Sequence, residues 1–413
     1  MKSPAAFDRV NGRPDNGRCR RAVTPAAPAA GRAAPLRRPR RRAMTVRIAT
    51  FNAENLFRRL KVFALQEDEE RQEVLEDYTE LVSLLEQESY ARDRKRIAAL
   101  IKKHAVYDGD RDSTRQFSVQ ETRGRHTLFS VRRRQDDVVV DVEAEGRADW
   151  TGWVDLVRDD LDWPAVRNTG RVVSEVDADI LLLVEVEDRL TLERFNTQVL
   201  AGALGRRPYP YNMLVDGNDG RGIDVALLSR HPITSVRPHV FDPDPERPGE
   251  HLFSRDCPEF EIQLNGTPLV LLGNHLKSKA NDDPVLRLAQ ARRVAEIYEA
   301  ARERTPHVAV AGDLNDHPES EPVEALLDTG LRDAMSHSAY RGVPGTYAPC
   351  DTEQRKIDYL LFPPPLWHRV QHVGLETRGI FWFPPPEIKH FDEVTSKATA
   401  ASDHAALYAD LDM

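Results

Sequence analysis

From Val308 to Ala311 the chain runs through four small apolar residues, and the next five turn polar: Gly312-Asp313-Leu314-Asn315-Asp316. An aliphatic run of this kind reads as a buried strand, and the glycine ends it. Asp313 and Asn315 then stand just past the strand end, a carboxylate and a carboxamide two residues apart. In α/β sheets ligands gather in the crevice beyond the strand ends. The pair suits hydrolysis, with an acid to capture a water proton and an amide to fix the same water. A strand running into a turn explains these residues equally well, because Gly-Asp and Asn-Asp are common turn chemistry. The deciding question is how many other strands end the same way.

Several do. Thr45–Thr50 alternates with period two and leads into Phe51-Asn52, again an amide at a strand end. Asp179–Val184 reads as a buried strand that ends on Glu185. A carboxylate directly after aliphatic residues is costly to bury unpaired, so Glu185 either faces solvent or meets a cation. Phe260–Leu264, an Asn265-Gly266 turn and Pro268–Leu272 spell a hairpin, followed by Asn274-His275 and then Lys277 and Lys279. Lys356–Phe362 is apolar with Asp358 inside it, and Ser402-Asp403-His404 precedes a last strand, Ala405–Leu411. Tyr209–Val215 and Ile223–Leu228 flank the polar turn Gly217–Gly222, where Arg221 either clamps a phosphate or serves the turn. Gly345-Thr346-Tyr347 opens a further strand region, and the prolines at 363–365 and 384–386 bracket a loop. Helical spacing marks 165–178, Leu190–Leu204, a stretch of roughly twenty residues opened by Pro284, and Glu321–Asp328.

Residues 58–165 interrupt this alternation. Val74, Tyr78, Leu81 and Leu85 predict one helix, and Ile97, Leu100 and Ile101 a second. The runs Gln116–Glu121, His126–Arg132 and Val138–Glu143 are β-rich, and Trp150 and Trp153 follow. Such content makes this an insertion with its own structure, not a loose loop. Its two tryptophans stack on a substrate ring or, as is commoner, belong to a core. The insertion leaves directly after the Asn52 strand, which predicts that it overhangs the strand-end crevice.

Residues 1–43 carry twelve Lys/Arg and two Asp/Glu, a charge of +10, so the rest of the chain holds −19 of a total of −9. This Arg/Pro/Ala-rich segment has no hydrophobic periodicity and is predicted to be disordered. It reads as a basic arm, as a targeting peptide, or as a mis-called start ahead of a true start at Met44. The lack of an apolar core and the presence of Asp8 and Asp15 count against targeting, and Met44 directly before the first strand favours the last. The acidic remainder, 44–413, argues against strong non-specific binding of phosphate backbones. No run of 18 apolar residues predicts a membrane span. Cys19, Cys257 and Cys350 form no disulfide framework and no zinc spacing. A cytoplasmic location is the expectation.

Each polar residue singled out so far has a dull explanation by itself, but together they form a set. Asn52, Glu185, His275, Asp313, Asn315, Asp358, Asp403 and His404 all lie in or beside predicted strands. Carboxylates with amides suit a hard divalent cation such as Mg²⁺, and the histidines suit proton transfer near neutral pH. At this point the chain resembles the endonuclease/exonuclease/phosphatase superfamily. The matching stretches, in the family's order, are Thr50-Phe51-Asn52, Leu183-Val184-Glu185-Val186, Gly273-Asn274-His275-Leu276, Gly312-Asp313-Leu314-Asn315, Lys356-Ile357-Asp358-Tyr359 and Ser402-Asp403-His404. The family usually carries Gln before its metal-binding Glu, and here Val184 stands there.

The resemblance implies an α/β fold, a four-layer sandwich of two mixed β-sheets packed face to face with helices outside. It implies that Glu185 binds Mg²⁺ (or Mn²⁺ as a substitute) with help from Asn52 and Asp403. His404 would activate water, Asp358 would orient His404, Asp313 and Asn315 would position the nucleophile, and His275 would stabilise phosphoryl oxygens. Arg221, Lys277 and Lys279 are candidate substrate contacts. The expected activity is phosphodiester hydrolysis, with nucleic acid the leading substrate. A phosphatase or phosphodiesterase for small, lipid or inositol phosphates is the alternative, and a non-catalytic scaffold a second one. The calcineurin-like phosphoesterases share Gly-Asn-His and Gly-Asp pieces, but their order differs and Leu276 stands where they need an acid.

Overall fold

A computed structural model describes residues 44–56, 61–65, 67–106, 115–121, 127–134, 137–158, 163–279, 283–381 and 389–413. The basic segment 1–43 and His126 lie outside the described residues. Six strands form one mixed sheet, in the order β15 (Val370–Glu376), β16 (Ala406–Asp412), β1 (Thr45–Leu56), β6 (Ile180–Val186), β8 (Asp224–Ser229) and β7 (Tyr211–Val215). The second sheet runs β13 (Arg332–Asp333), β14 (Asp358–Phe362), β12 (Val308–Asp313), β11 (Thr267–His275), β10 (Glu259–Leu264) and β9 (Ile233–Arg237). Among the described residues, only the β1–β6 and β11–β12 pairs are parallel.

The strands alternate between two cores. Val46 and Ile48 of β1 and Ile180, Leu182 and Val184 of β6 face the other sheet, where they meet Phe260, Leu271, Ala309, Ala311 and Leu360. The intervening Ala49, Phe51, Leu181 and Leu183 pack outward against the helix α3 (Trp163–Val176). Likewise Val308 and Val310 face α5 (Pro284–Arg302) through Ala291, Val294 and Ile297. Strands covered on both faces read as unbroken apolar runs, which is why 180–184 and 308–311 carry no polar residue. The result is the expected four-layer sandwich, helices outside and two sheets within.

Two local features set the strand ends. Asp283 caps α5 by accepting the Leu286 N–H at 3.0 Å, with Pro284 in the first turn. Gly312 takes φ +130°, and a Cβ there would stand 1.9 Å from the Asn274 carbonyl oxygen of the neighbouring strand. No side chain fits, so the glycine brings β11 and β12 together directly before the polar residues at their ends.

The insertion is a small folded unit with its own core. The helices α1 (Asp68–Leu85) and α2 (Arg94–Lys103) cover the antiparallel pairs β2 (Phe117–Glu121) with β5 (Gly152–Leu156) and β3 (Phe129–Arg134) with β4 (Asp137–Val142). Trp150 belongs to this core and donates to the Tyr90 hydroxyl at 2.7 Å, which removes it as a stacking platform, whereas Trp153 is half exposed.

Two expectations need correction. Gly345–Tyr347 is not a strand; only Tyr347 makes an isolated bridge, to His404. The stretch between the proline clusters is not all loop, because β15 pairs there with β16. The edge strands β9 and β13 carried too little periodicity to be read. Among the described residues no helix is long and apolar enough to cross a membrane, and Cys257 and Cys350 are buried free thiols.

Gly312→Ala is expected to cost about 1–3 kcal/mol or more, read as a lowered Tm with loss of soluble yield. Gly205→Ala, at a helix end with open space around it, is the control and should cost less.

Candidate active site

The sheet register assembles the site. In the second sheet His275 of β11 is paired with Asp313 of β12, and Asp313 with Asp358 of β14, so three chemistry-bearing residues lie side by side at the strand ends. In the first sheet Asn52 of β1 is paired with Val184, the residue before Glu185. The ladder shifts register at both Asn52/Leu56 and Val184/Val186, and such a bulge re-aims a side chain. Glu54, Glu185 and Asn315 all take left-handed backbone, at φ +49°, +63° and +53°. Non-glycine residues adopt that region at a cost, and such residues cluster at functional sites.

The contacts are dense. Asn52 Nδ2 donates to Asp313 Oδ2 at 3.2 Å, and Asn52 Oδ1 accepts the Glu54 N–H at 3.1 Å. Asp313 Oδ1 accepts the Asn315 N–H at 2.8 Å, while Asn315 Nδ2 donates to the Leu276 carbonyl at 3.0 Å. Asp358 Oδ2 lies 2.8 Å from His404 Nδ1 and accepts the Thr346 hydroxyl at 2.7 Å. His404 Nε2 faces Asp313 Oδ2 at 3.9 Å and Asp403 Oδ1 at 3.7 Å. His275 Nε2 sits 3.9 Å from Glu185 Oε1 and 3.8 Å from Asp313 Oδ2. The Ser402 hydroxyl donates to the Asn52 carbonyl and accepts the His404 N–H, tying the last loop to the end of β1.

Burial and neighbouring charge divide the titrations. Burial opposes protonation of His404, but the carboxylates of Asp358, Asp313 and Asp403 outweigh it and hold the imidazole well above its ordinary value. Asp313 is pushed up to about 7, first by burial and then by the Asp358 charge. His275 is driven well below its ordinary value by burial and by Arg255, Arg221 and His404. The two imidazoles of one site are therefore pushed in opposite directions, His404 toward the protonated form and His275 toward the neutral one.

These residues open onto a cavity of about 1260 Å³, lined by Asn52, Glu185, His275, Asp313, Asn315 and His404 among others. Arg221, Lys279 and Asp403 also line it. Asp358 is wholly buried behind His404, and Lys277 lines a neighbouring chamber instead. No described residue of the insertion lines the cavity, so the expected overhang finds no support among the described residues; Arg158 of the insertion binds Glu187 at 2.5 Å beside Gly222.

A sequence model of the endonuclease/exonuclease/phosphatase family matches residues 49–404. The chain belongs to that family. Its members are phosphoester hydrolases that depend on a divalent metal. Human sphingomyelin phosphodiesterase 2 is 26% identical over 208 residues, 46% of this chain, and the chain spans about half the length (48%) of that relative. Among solved structures, truncated Caenorhabditis elegans TDP2 is 20% identical at a TM-score of 0.43, covering 60% of this chain and 90% of that one. The mannosyl-6-phosphatase Bt3783 of Bacteroides thetaiotaomicron is 16% identical at a TM-score of 0.46, covering 61% and 92%.

The donor set fits the divalent cation of the family. Asp313, Asp358 and His404 place ligand atoms within 4.8 Å of one another, but Asp358 and His404 are already bonded to each other and Asp358 is out of reach of solvent. The carboxylates of Glu185, Glu54 and Asp403 instead face the cavity, and hard oxygen donors with room for water suit Mg²⁺ better than a closed cluster does. Sequence reasoning overlooked Glu54, whose Oε2 accepts the Asp403 N–H at 2.9 Å. It also overlooked Thr346, Tyr347 and Arg355. Glu54 was within reach, two residues beyond Asn52 on the same strand.

Saturating Mg²⁺ is expected to raise the Tm of the metal-free protein by several degrees, since ligand at 100 times Kd stabilises by about 2.7 kcal/mol. Glu185→Gln should lose most of that shift, and calorimetric titration should show the matching loss of affinity.

Proposed function

We propose that the protein is a Mg²⁺-dependent phosphodiesterase that cleaves nucleic acid. The observation that carries this reading is the buried Asp358–His404 couple set against Asp313 at a cavity whose lining also holds Glu54, Glu185 and Asp403 on one hand and Arg221, Lys279 and Arg355 on the other. Bound at Glu185 with Asn52, Glu54 and Asp403 nearby, the metal ion would polarise the phosphate and offset charge on the oxygens.

The remaining chemistry falls to the chain's own groups. His404 Nε2 takes the proton of the attacking water, and Asp358 keeps Nδ1–H in place and stabilises the imidazolium that results. The carboxylates that raise the basicity of His404 make it a good proton acceptor once it is unprotonated. Asp313 and Asn315 hold the water in line, fixed in turn by Asn52 and by the Leu276 carbonyl. His275, neutral by virtue of its surroundings, donates from Nε2 to a non-bridging oxygen and stabilises charge there by hydrogen bonding, without transferring a proton. Arg221, Lys279 and Arg355 reach the cavity and suit the flanking anionic groups.

A lipid or small-molecule phosphodiesterase is the second reading. It is favoured by the likeness to sphingomyelin phosphodiesterase 2 and by the acidic body of the chain.

Supercoiled plasmid incubated with the purified protein and Mg²⁺ is expected to be nicked. EDTA should abolish nicking, and His404→Ala should slow it about 10²–10⁴-fold, the usual worth of a general base. Intact plasmid alongside metal-dependent cleavage of a phosphodiester dye substrate would move the assignment to the second reading.

A further inference from the structure

Beside the main cavity lies a second chamber of about 300 Å³, lined by Arg221, Ser254, Arg255, Lys277, Ser278 and Asn218 among others. Asp219, Gly220, Arg221 and Ser278 line both spaces, so the chamber adjoins the main cavity at the turn that carries Arg221. Its charge is lopsided. Arg255 is buried, and its guanidinium donates to the Leu276 carbonyl at 2.6 Å and to Asp219 Oδ2 at 3.2 Å. Arg221 binds the same Asp219 carboxylate through Nε and Nη2, at 3.1 and 2.9 Å. One carboxylate thus serves two guanidinium groups. Lys277 brings a third cation and makes no ion pair among the described residues. The chamber therefore keeps a net charge of about +2, counted from three cations and one carboxylate that all line it.

Hydroxyl groups complete the lining. Ser254 Oγ accepts from Arg255 Nη1 at 3.2 Å, which leaves its own hydrogen to donate. Fixed cations with hydroxyl donors, in a space of this size, match a tetrahedral phosphate group.

We propose that this chamber binds a second phosphate of the substrate, next to the phosphate that is cleaved. The inference rests on the phosphoesterase reading of the main cavity and narrows it. The substrate carries at least two phosphates, as a polynucleotide or a bisphosphorylated small molecule does. A phosphocholine headgroup is disfavoured, because its quaternary ammonium would enter a space already holding three cations. Arg255 acts here as a positioning residue, fixing the Leu276 backbone and Asp219, while Arg221 and Lys277 reach the anion.

The test compares two chromogenic esters with the full-length protein in Mg²⁺: the p-nitrophenyl ester of thymidine 5′-phosphate, and the same ester carrying a 3′-phosphate. The expected result is a kcat/KM about tenfold higher for the second ester, expressed mainly in KM, and collapse of that preference to about twofold in Lys277→Gln. Equal kcat/KM for the two esters in the unaltered protein, or a preference that survives Lys277→Gln, overturns the proposal. Extending the second ester by further nucleotides separates the sources: a continued gain points to a polynucleotide, and no gain to a small bisphosphate. If neither ester is cleaved, the nucleic-acid reading of the main cavity fails, and the chamber is then judged by binding alone. Inorganic pyrophosphate in EDTA should raise the Tm of the unaltered protein and not that of Lys277→Gln, with Lys277→Arg restoring the shift. No pyrophosphate shift in the unaltered protein sinks the chamber as an anion site.

Discussion

The hydrogen bond between Asp358 and His404 is the interaction on which the cavity end of this molecule depends. Asp358 has no access to water, and one of its oxygens takes both the His404 ring and the Thr346 hydroxyl. A buried carboxylate is tolerable only while partners of this kind remain. The couple also joins the two sheets. Asp358 begins β14 of one sheet, and His404 precedes β16 of the other, so the bond spans the sandwich at the edge where the strand ends converge. Removing the imidazole strands a buried charge, at about 3–5 kcal/mol for losing one partner of such a pair. Fold and chemistry therefore share one contact.

The strain around that contact has a direction. Glu54, Glu185 and Asn315 each hold a left-handed backbone that suits glycine better. Each costs about 1–3 kcal/mol, and none packs a core. Glu185 follows five buried residues of β6, and the register shift there turns it out of the ladder and toward the cavity. An apolar residue in a regular strand would be more stable at that position. The sandwich can carry such defects because its two sheets are covered on both faces, so the cost of the site is offset by cores that lie a few residues away on the same strands.

Much of this was legible in the sequence, and the reason is physical. A strand buried on both faces is an unbroken apolar run, so a polar residue at its end stands out. Asn52, Glu185, His275 and Asp313 were found that way, and the parallel and antiparallel registers then brought them together. Asp358 and His404 stood out by type and neighbourhood. What could not be read was whatever depends on pairing across long separations. Arg255 looks like any loop arginine until the turn holding Asp219 folds over it. Tyr347 and Thr346 looked like the start of a strand, yet a single bridge to His404 and the Asp358 hydrogen bond fix them instead. The strands β9 and β13 lie at sheet edges, where half-exposed or very short segments lose the pattern that betrays a core strand. Trp150 and Trp153 illustrate the same limit, since one is core and one is exposed and their spacing alone does not say which.

The charge of the body and the charge of the site pull in opposite directions, and distance decides between them. Outside its first 43 residues the chain carries −19, which opposes a polyanionic substrate. Yet Arg221, Arg255, Lys277, Lys279 and Arg355 stand at or beside the cavity. At physiological ionic strength interactions between exposed charges fade beyond about 8 Å, so the surface acids act weakly on a phosphate already at the mouth. The cations there act at contact distance and in a partly desolvated space, where the same charge counts for more. The acids nearest the reacting centre, Asp313, Asp403 and Glu185, are the exception, because they sit within a few ångströms of any phosphate that reaches His404. Without a cation among them they would repel a phosphate from His404. The site is therefore complete as a phosphate site only when a divalent ion offsets those carboxylates, which is the electrostatic reason that a family built on this arrangement depends on metal.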